Sequence, residues 1–171
     1  YSRYDEPGEG SEYKDANYNH KLYYHCLGTS QDDDVLIYER PDQKEWGFGG
    51  HVTEDGHYLI ITVWQGTHRE NGLFYKDLTN DSNIIELLPD FDAAYHYLGN
   101  DGAILYLETD RDAPMSRIIA IDINNPDQIR DIIPESSDAL EYASLIGNTF
   151  ITGYLHDASS RTGLYETDGT H

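Results

Sequence analysis

The sequence predicts an all-β fold made of repeated strand units, and three observations support this prediction. First, Asp55-Gly56 recurs 46 positions later as Asp101-Gly102, and Gly147-Asn148 follows after another 46. Second, these pairs stand between strand-like runs, where hairpin turns need the positive φ that Gly, Asn and Asp tolerate. Third, segment 57–64 is apolar on both faces, which is typical of a strand covered on both sides. A period of about 45 residues with several strands per unit indicates a β-propeller blade.

Thirteen segments have the length and composition of strands, and the 15 tyrosines favour the same structure. They are 20–27, 34–39, 48–54, 57–64, 72–78, 83–88, 93–99, 103–108, 116–123, 129–133, 140–146, 149–155 and 163–168. Residues 1–19 are polar and contain glycine, so we expect a loop or a loose terminal strand there. The run 73–78 recurs as 118–123 and as 164–168, with an aspartate near the end of each copy.

Assigning these strands to blades predicts one partial β-propeller domain over residues 1–171. Residues 1–45 would end one blade, 46–90 and 91–136 would form two blades, and 137–171 would form an incomplete blade. The chain thus predicts a sector of about three to four four-stranded antiparallel blades. Because closed propellers need about four to eight blades, we expect it to be cut from a larger ring.

Composition restricts the classes of partner and compartment. The formal net charge of -21 disfavours nucleic acid and anionic membrane surfaces as partners. No apolar run approaches the roughly 18 residues of a membrane helix. Cys26, the single cysteine, excludes an internal disulfide, and its apolar neighbours predict a packed strand position. It fits a reducing compartment, so we expect a cytoplasmic protein, with the periplasm as the alternative. The chain begins with Tyr, and we expect its natural N-terminus to be missing.

No complete catalytic or metal site is predicted. The sequence contains no Gly-x-Ser-x-Gly nucleophile turn, so no catalytic residue is assigned. The eight histidines show no paired ligand spacing, and the clusters 32–34 and 80–83 do not match a calcium loop. We therefore expect no metal and no cofactor.

Two glycine-containing segments are candidates for contact with a ligand. Segment 46–50 precedes a predicted innermost strand and could place Trp46 and Phe48 at the propeller channel, the alternative being packing between blades. Segment 65–69 follows the next strand and could place Thr67 at the channel in the same way, again with packing between blades as the alternative. These three residues are the candidate lining of a substrate cavity.

An ordered set of short motifs over about residues 20–168 resembles the propeller of the prolyl oligopeptidase family. The motifs are Leu22-Tyr23-Tyr24-His25, Leu27-Gly28-Thr29, Gln31, Asp34, Leu36, Pro41-Asp42, Trp46, Asp55-Gly56, Tyr58, Leu73, Tyr75, Asp77-Leu78, Thr109, Arg111, Pro114 and Tyr154-Leu155-His156-Asp157. The resemblance implies a two-domain parent in which a seven-bladed propeller caps an α/β-hydrolase domain with a Ser-Asp-His triad. Such enzymes cleave short peptides after proline, and the propeller excludes folded proteins from the buried site.

The chain departs from the family pattern at the candidate cavity. In some members the position after the tryptophan and one in the later strand-end loop carry Met and Cys. Here they are Gly47-Phe48 and Thr67. Phe48 could replace an apolar contact to substrate, whereas Thr67 removes a thiol.

Two functions stay open from the sequence. In the first, the chain is the gating, substrate-access fragment of a prolyl-oligopeptidase-type serine peptidase and is inactive alone. Its partners would be the missing blades, the hydrolase domain and short proline-containing peptides. In the second, it is part of a non-enzymatic propeller that serves as a binding scaffold. In either case the open terminal blades predict self-association, as a two-fold dimer.

Overall fold

The computed structural model describes residues 1–6 and 17–171, which form fourteen β-strands and one short 3-10 helix, Gln31–Asp33. The strands are β1 (Ser2–Arg3), β2 (Lys21–Tyr24), β3 (Val35–Glu39), β4 (Trp46–Val52), β5 (Tyr58–Gln65), β6 (Asn71–Asp77), β7 (Ile85–Leu88), β8 (Tyr95–Asp101), β9 (Ile104–Thr109), β10 (Arg117–Asp122), β11 (Ile129–Ile133), β12 (Ala139–Ile146), β13 (Thr149–His156) and β14 (Ser159–Glu166). In the described part of the chain, no helix is long and apolar enough to cross a membrane.

The strands pair into four antiparallel sheets in simple up-and-down order. Sheet 1 is β1-β2-β3, sheet 2 is β4-β5-β6-β7, sheet 3 is β8-β9-β10-β11 and sheet 4 is β12-β13-β14. Neighbours along the chain are neighbours in each sheet, and hairpin turns join β4 to β5, β8 to β9, β12 to β13 and β13 to β14. Gly56, Gly102 and Gly147 have positive φ in the turns that the sequence marked. The prediction of an all-β sector of antiparallel blades is confirmed.

The hydrophobic core lies between the sheets as three successive clusters. The first, between sheets 1 and 2, contains Leu22, Phe48, Ile61, Val63 and Phe74. The second, between sheets 2 and 3, contains Ile60, Leu73, Tyr75, Ala93, Tyr95, Leu105, Leu107, Ile119 and Ile121. The third, between sheets 3 and 4, contains Tyr106, Ile118, Ala120, Ile132, Ile133, Leu140 and Phe150. Strand β5 supplies Ile61 to one cluster and Ile60 to the next, which explains why its sequence is apolar on both faces.

The repeated aspartate has a structural cause in the turn after the third strand of sheets 2, 3 and 4. Its carboxylate accepts a hydrogen bond from the backbone N–H two residues later, at 2.8–2.9 Å in all three copies. The pairs are Asp77 with Thr79, Asp122 with Asn124, and Asp168 with Thr170. The hydroxyl of Thr79 also donates to Asp77 and lowers the pKa of that carboxyl. The repeat therefore encodes a turn that the side chain closes on its own backbone.

Two local predictions were wrong. The last strand begins at Ser159 rather than at residue 163, because Asp157 and Ala158 both adopt positive φ and form a tight hairpin turn without glycine. Cys26 is exposed rather than packed in a strand. Strand β2 ends at Tyr24, and the chain turns there, with the Thr29 N–H donating to the Cys26 carbonyl.

A buried histidine joins sheet 1 to sheet 2. The Phe48 N–H donates to His20 Nδ1 at 2.8 Å. The imidazole lies among the rings of Tyr4, Phe48 and Trp64, with centroids 4.5–6.1 Å away. Burial lowers the pKa of His20, since the surrounding rings solvate its charged form poorly. A protonated Nδ1 could not accept the bond from Phe48, so this joint requires the neutral imidazole.

We expect His20 to make the stability of the chain depend on pH. Its folded-state pKa is lower than the ordinary value of 6.5. The stabilisation is therefore complete above 6.5 and is lost as the pH falls towards the folded-state pKa. Urea unfolding of the wild type and of His20→Gln at about pH 7.5 and pH 5 tests this. The loss of stability on acidification should be smaller in His20→Gln; an equal loss in both proteins would contradict the prediction.

Candidate functional site

A cleft of about 940 Å³ lies between sheet 2 and the first strands of sheets 3 and 4. Its lining comprises His51, Glu54, Asp55, Ile60, Thr62, Trp64, His68, Arg69, Asn71, Tyr95, His96, Tyr97, Leu98, Gly99, Asn100, Leu145, Gly147 and Asn148. A volume of this size is in the range of ligand-binding clefts. Since the first strands of propeller blades surround the central channel, the cleft marks the channel side of the sector.

The floor of the cleft is built by a tryptophan that lies on two glycines. In the pairing of β4 with β5, Gly47 is opposite Trp64 and Gly49 is opposite Thr62, so these residues share one face of sheet 2. A Cβ at Gly47 would overlap the indole, and one at Gly49 would lie 3.5 Å from Cζ3 of the ring. The missing side chains let the indole of Trp64 lie across β4 at the edge of the cleft.

A buried amide fastens the two walls of the cleft to each other. Asn71 Oδ1 accepts from the Tyr95 N–H at 2.7 Å, and Asn71 Nδ2 donates to the Tyr95 carbonyl at 3.1 Å. The amide therefore pairs with the free edge of β8 much as a neighbouring strand would. The backbone N–H of Asn71 also donates to the Ala93 carbonyl at 3.0 Å. Sheets 2 and 3 are thus joined by three hydrogen bonds at this side of the cleft.

A second polar link closes the far end of the cleft. Asn100 Nδ2 donates to Asp55 Oδ2 at 2.8 Å, and the hydroxyl of Tyr97 donates to Asn100 Oδ1 at 2.9 Å. Hydrogen bonds from the Thr53 hydroxyl, the His57 N–H and Asn100 lower the pKa of Asp55, in that order of size. Burial raises the pKa of Tyr97, and the carboxylate of Asp55 adds to the increase. The carboxylate and the neutral phenol thus hold the turn of sheet 2 against β8.

Besides the tyrosines, the remaining ionisable groups of the cleft are three histidines, one arginine and one glutamate, Glu54. Three of the eight histidines, His51, His68 and His96, line it together with Arg69. Arg69 Nη2 lies 3.1 Å from Asp110 Oδ2. Aromatic and aliphatic side chains line the cleft together with these polar groups, which makes it the candidate binding site in the described part of the chain.

The polar clusters noted in the sequence serve turns. In the described residues, no group of three or more His, Cys, Asp or Glu side chains is placed to hold a metal ion. Asp34, from the first acidic cluster, receives hydrogen bonds from Tyr1 and pairs with His25 Nδ1 at 2.6 Å. Asn80, from the second, donates to Asp77 at 2.6 Å. Both clusters therefore fix local loops.

The three predicted cavity residues lie in different environments. Phe48 is 1% exposed and packs in the cluster between sheets 1 and 2. Trp46 is partly buried against Phe74 and Phe91, and its ring is covered by the guanidinium of Arg40 at 4.8 Å. Thr67 is exposed in the turn after β5. None of the three is among the residues that line the cleft. Their contact with a substrate stays a prediction.

Trp64 is the cleft residue that the sequence reasoning missed. Segment 46–50 was interpreted as a turn before the innermost strand, whereas it is the start of β4 itself. Within a strand, Phe48 points to the face opposite Gly47 and Gly49, and therefore away from the cleft. The available signal was two glycines spaced by two in one strand, which leave a bare patch for a large residue of the neighbouring strand.

Comparison with known proteins identifies the family. The family description "Prolyl oligopeptidase, N-terminal beta-propeller domain" matches residues 1–171. The chain belongs to the prolyl oligopeptidase family. It is 36% identical over 171 residues to a curated prolyl endopeptidase of Elizabethkingia meningoseptica, a match that covers 99% of this chain and 24% of the relative.

Solved structures of the family share the fold. A structure from a study of two prolyl endopeptidases superposes with a TM-score of 0.88 at 30% identity, covering 99% of this chain and 24% of that one. Prolyl oligopeptidase B of Galerina marginata, bound to a 35mer hydrolysis and macrocyclization substrate, gives a TM-score of 0.90 at 26% identity, with the same coverage. The chain therefore spans about a quarter of the length of these relatives and corresponds to part of their propeller.

Proposed function

We propose that this chain is the substrate-access part of a serine peptidase that cleaves short peptides after proline. The observation that carries the proposal is the match of the prolyl oligopeptidase propeller to residues 1–171. The curated relative of Elizabethkingia meningoseptica is a prolyl endopeptidase. Because the chain corresponds to 24% of that enzyme, the groups that break the peptide bond would belong to the rest of the longer protein.

The cleft gives this role a physical basis. The Galerina relative was solved bound to a 35mer hydrolysis and macrocyclization substrate. In this chain, aromatic and aliphatic residues from three sheets surround a cleft of about 940 Å³. Rigid sheets fastened by Asn71 and Asn100 would keep the channel narrow, so that an extended peptide enters and a folded protein does not. The propeller would then select substrates by their size.

Peptidase assays on the complete protein that contains this chain test the proposal. We expect hydrolysis of a succinyl-Gly-Pro p-nitroanilide, much weaker hydrolysis of its Gly-Ala counterpart, and none by the 171-residue chain alone. A short proline-containing peptide should be cleaved while a folded protein of the same composition resists. A complete protein that captures a protein partner but hydrolyses none of these peptides would instead favour a binding scaffold.

We also propose that the isolated chain self-associates through its outer sheets. Tyr142, Ile146 and Leu164 are 56–64% exposed on sheet 4. Apolar residues exposed together in this way promote association. Light scattering over a range of concentrations should show a mass above that of the monomer, and Ile146→Lys with Leu164→Lys should lower it. A stable monomer at high concentration would contradict the proposal.

A further inference from the structure

We propose that Trp64 is the specificity-determining residue of the cleft and binds a ring-bearing side chain, proline or aromatic, of the peptide. The inference rests on the proposed function in that the ligand is a peptide. It goes beyond that function by assigning the recognition of one residue to one side chain of this chain. Three features of the structure support it.

The first feature is the surface of β4 on which the indole packs. Gly47 and Gly49 leave the backbone of β4 bare at the two positions over which the ring of Trp64 lies. One face of the indole is therefore packed on β4, so its position is fixed before any ligand arrives. Trp64 is only partly buried, and the cleft meets its remaining surface. A pre-positioned aromatic face binds with little loss of side-chain entropy.

The second feature is the contrast with the other tryptophan. Trp46 has Phe91 at 5.0 Å and Phe74 at 6.3 Å between ring centroids, and the guanidinium of Arg40 at 4.8 Å. Its side chain thus joins sheet 1 to sheet 2 and lies outside the cleft. Trp64 has the His20 imidazole at 5.6 Å on the side of sheet 1 and faces the cleft on the side of sheet 3. The two indoles therefore have separate roles, one structural and one available to a ligand.

The third feature is the chemistry of the surrounding walls. Tyr95, Tyr97 and Leu145 face the cleft from sheets 3 and 4. Rings stack on an indole through dispersion and quadrupole contacts, and grooves lined by aromatic residues bind proline-rich segments in this way. A cationic side chain would also be attracted to an indole. The lining contains Arg69 but also the carboxylates of Glu54 and Asp55, so a cationic side chain is the competing ligand that the test must include. The aromatic and aliphatic walls favour a proline or aromatic ring as the ligand.

Four variants of the complete protein test the assignment. Trp64→Ala removes the indole, and Trp64→Phe keeps a smaller ring. Gly47→Ala keeps the tryptophan at position 64 but puts a methyl group where its indole lies, so it displaces the ring. Gly50→Ala is the matched control, because Gly50 lies on the same strand but its added methyl would meet the side-chain ends of Leu22 and Leu59, at 3.1 and 3.4 Å, and not the indole. Thermal unfolding of each variant verifies that it is folded.

The first readout is kinetic. The substrates are tetrapeptide p-nitroanilides that end in proline and carry Phe, Pro, Gly or Lys at each upstream position in turn. We expect Trp64→Ala and Gly47→Ala to raise KM about three- to tenfold for Phe or Pro at one position. The kcat should not change, because the contact is the same before and during the reaction. The KM for the glycine peptides should stay near the wild-type value in every variant, as should the KM for all peptides with Gly50→Ala. Trp64→Phe should raise the KM for the ring-bearing peptide less than Trp64→Ala does.

The second readout is binding, which does not depend on turnover. Fluorescence anisotropy of labelled Phe-Gly-Gly-Pro and Gly-Gly-Gly-Pro amides, and of the amides that carry Phe at the second and third positions, measures affinity directly. If no peptide is hydrolysed but Trp64→Ala still weakens a Phe peptide selectively, the proposed function fails and the assignment of Trp64 stands. If hydrolysis after proline proceeds while Trp64→Ala and Gly47→Ala leave the ring preference unchanged, the assignment is overturned. A wild-type preference for Lys over Phe would also overturn it.

Discussion

Replacing Phe48 with alanine is expected to lower the free energy of unfolding of the chain by about 3–5 kcal/mol. The ring is 1% exposed and packs between sheets 1 and 2, with Tyr38 edge-on at 5.0 Å. Its removal would lose the transfer free energy of the ring and leave a cavity that close packing cannot fill. Urea unfolding followed by circular dichroism measures the change.

Two controls show whether the effect comes from packing. Phe48→Leu keeps most of the apolar volume and should cost roughly 1–2 kcal/mol. Ile85→Ala removes an apolar side chain that is 46% exposed and should change the free energy of unfolding by about 0.5 kcal/mol or less. If Phe48→Ala lowered the free energy of unfolding by less than about 1 kcal/mol and also weakened peptide binding, Phe48 would line the cavity rather than the core.

Replacing Asn71 with alanine is expected to cost about 2–4 kcal/mol of stability. The variant leaves the N–H and the carbonyl of Tyr95 without the amide that satisfies both in a buried joint. A buried polar group without a partner costs its full desolvation penalty. Urea unfolding measures the loss, and hydrogen exchange should show faster exchange of the Tyr95 N–H than in the wild type.

An exposed asparagine provides the matched control for Asn71. Asn124 also bonds through its side chain, to Asp122 at 3.1 Å, but lies at the surface. Asn124→Ala should therefore cost clearly less than Asn71→Ala, because water replaces the lost partner. Equal losses in the two variants would show that the joint between sheets 2 and 3 does not depend on the amide. In that case the cleft would be held by apolar packing alone.

These predictions follow from how the sector is assembled. Sheets 2 and 3 each bury two faces and sheets 1 and 4 bury one, so the core is a series of thin layers rather than one centre. Only a few polar links cross between sheets, and those of Asn71 and Asn100 both border the cleft. Loss of a layer or of a link should therefore change the shape of the cleft as well as the stability of the chain.

The sequence by itself determined the strands, the turns between them and the family. Asp55-Gly56 and its recurrences marked hairpins, and the repeated aspartate of 73–78 marked a turn closed by its own side chain. The sequence predicts these features because turn chemistry and strand alternation depend on residues that are close together in the chain. The turn at Asp157 and Ala158 adopts positive φ without a glycine, so the sequence carries no turn signal there and the start of the last strand was predicted too late.

Only the tertiary structure decided which residues face the cleft. Alternation divides β4 into one set with Phe48 and another with Gly47 and Gly49, but it cannot tell which set meets sheet 1 and which meets the channel. That choice depends on how whole sheets pack against each other. The pairing of Gly47 with Trp64 follows from the hairpin at Asp55-Gly56, but whether the indole meets a cleft depends on where sheets 3 and 4 lie. The fold was therefore predictable from local chemistry, whereas the binding surface depends on contacts between sheets.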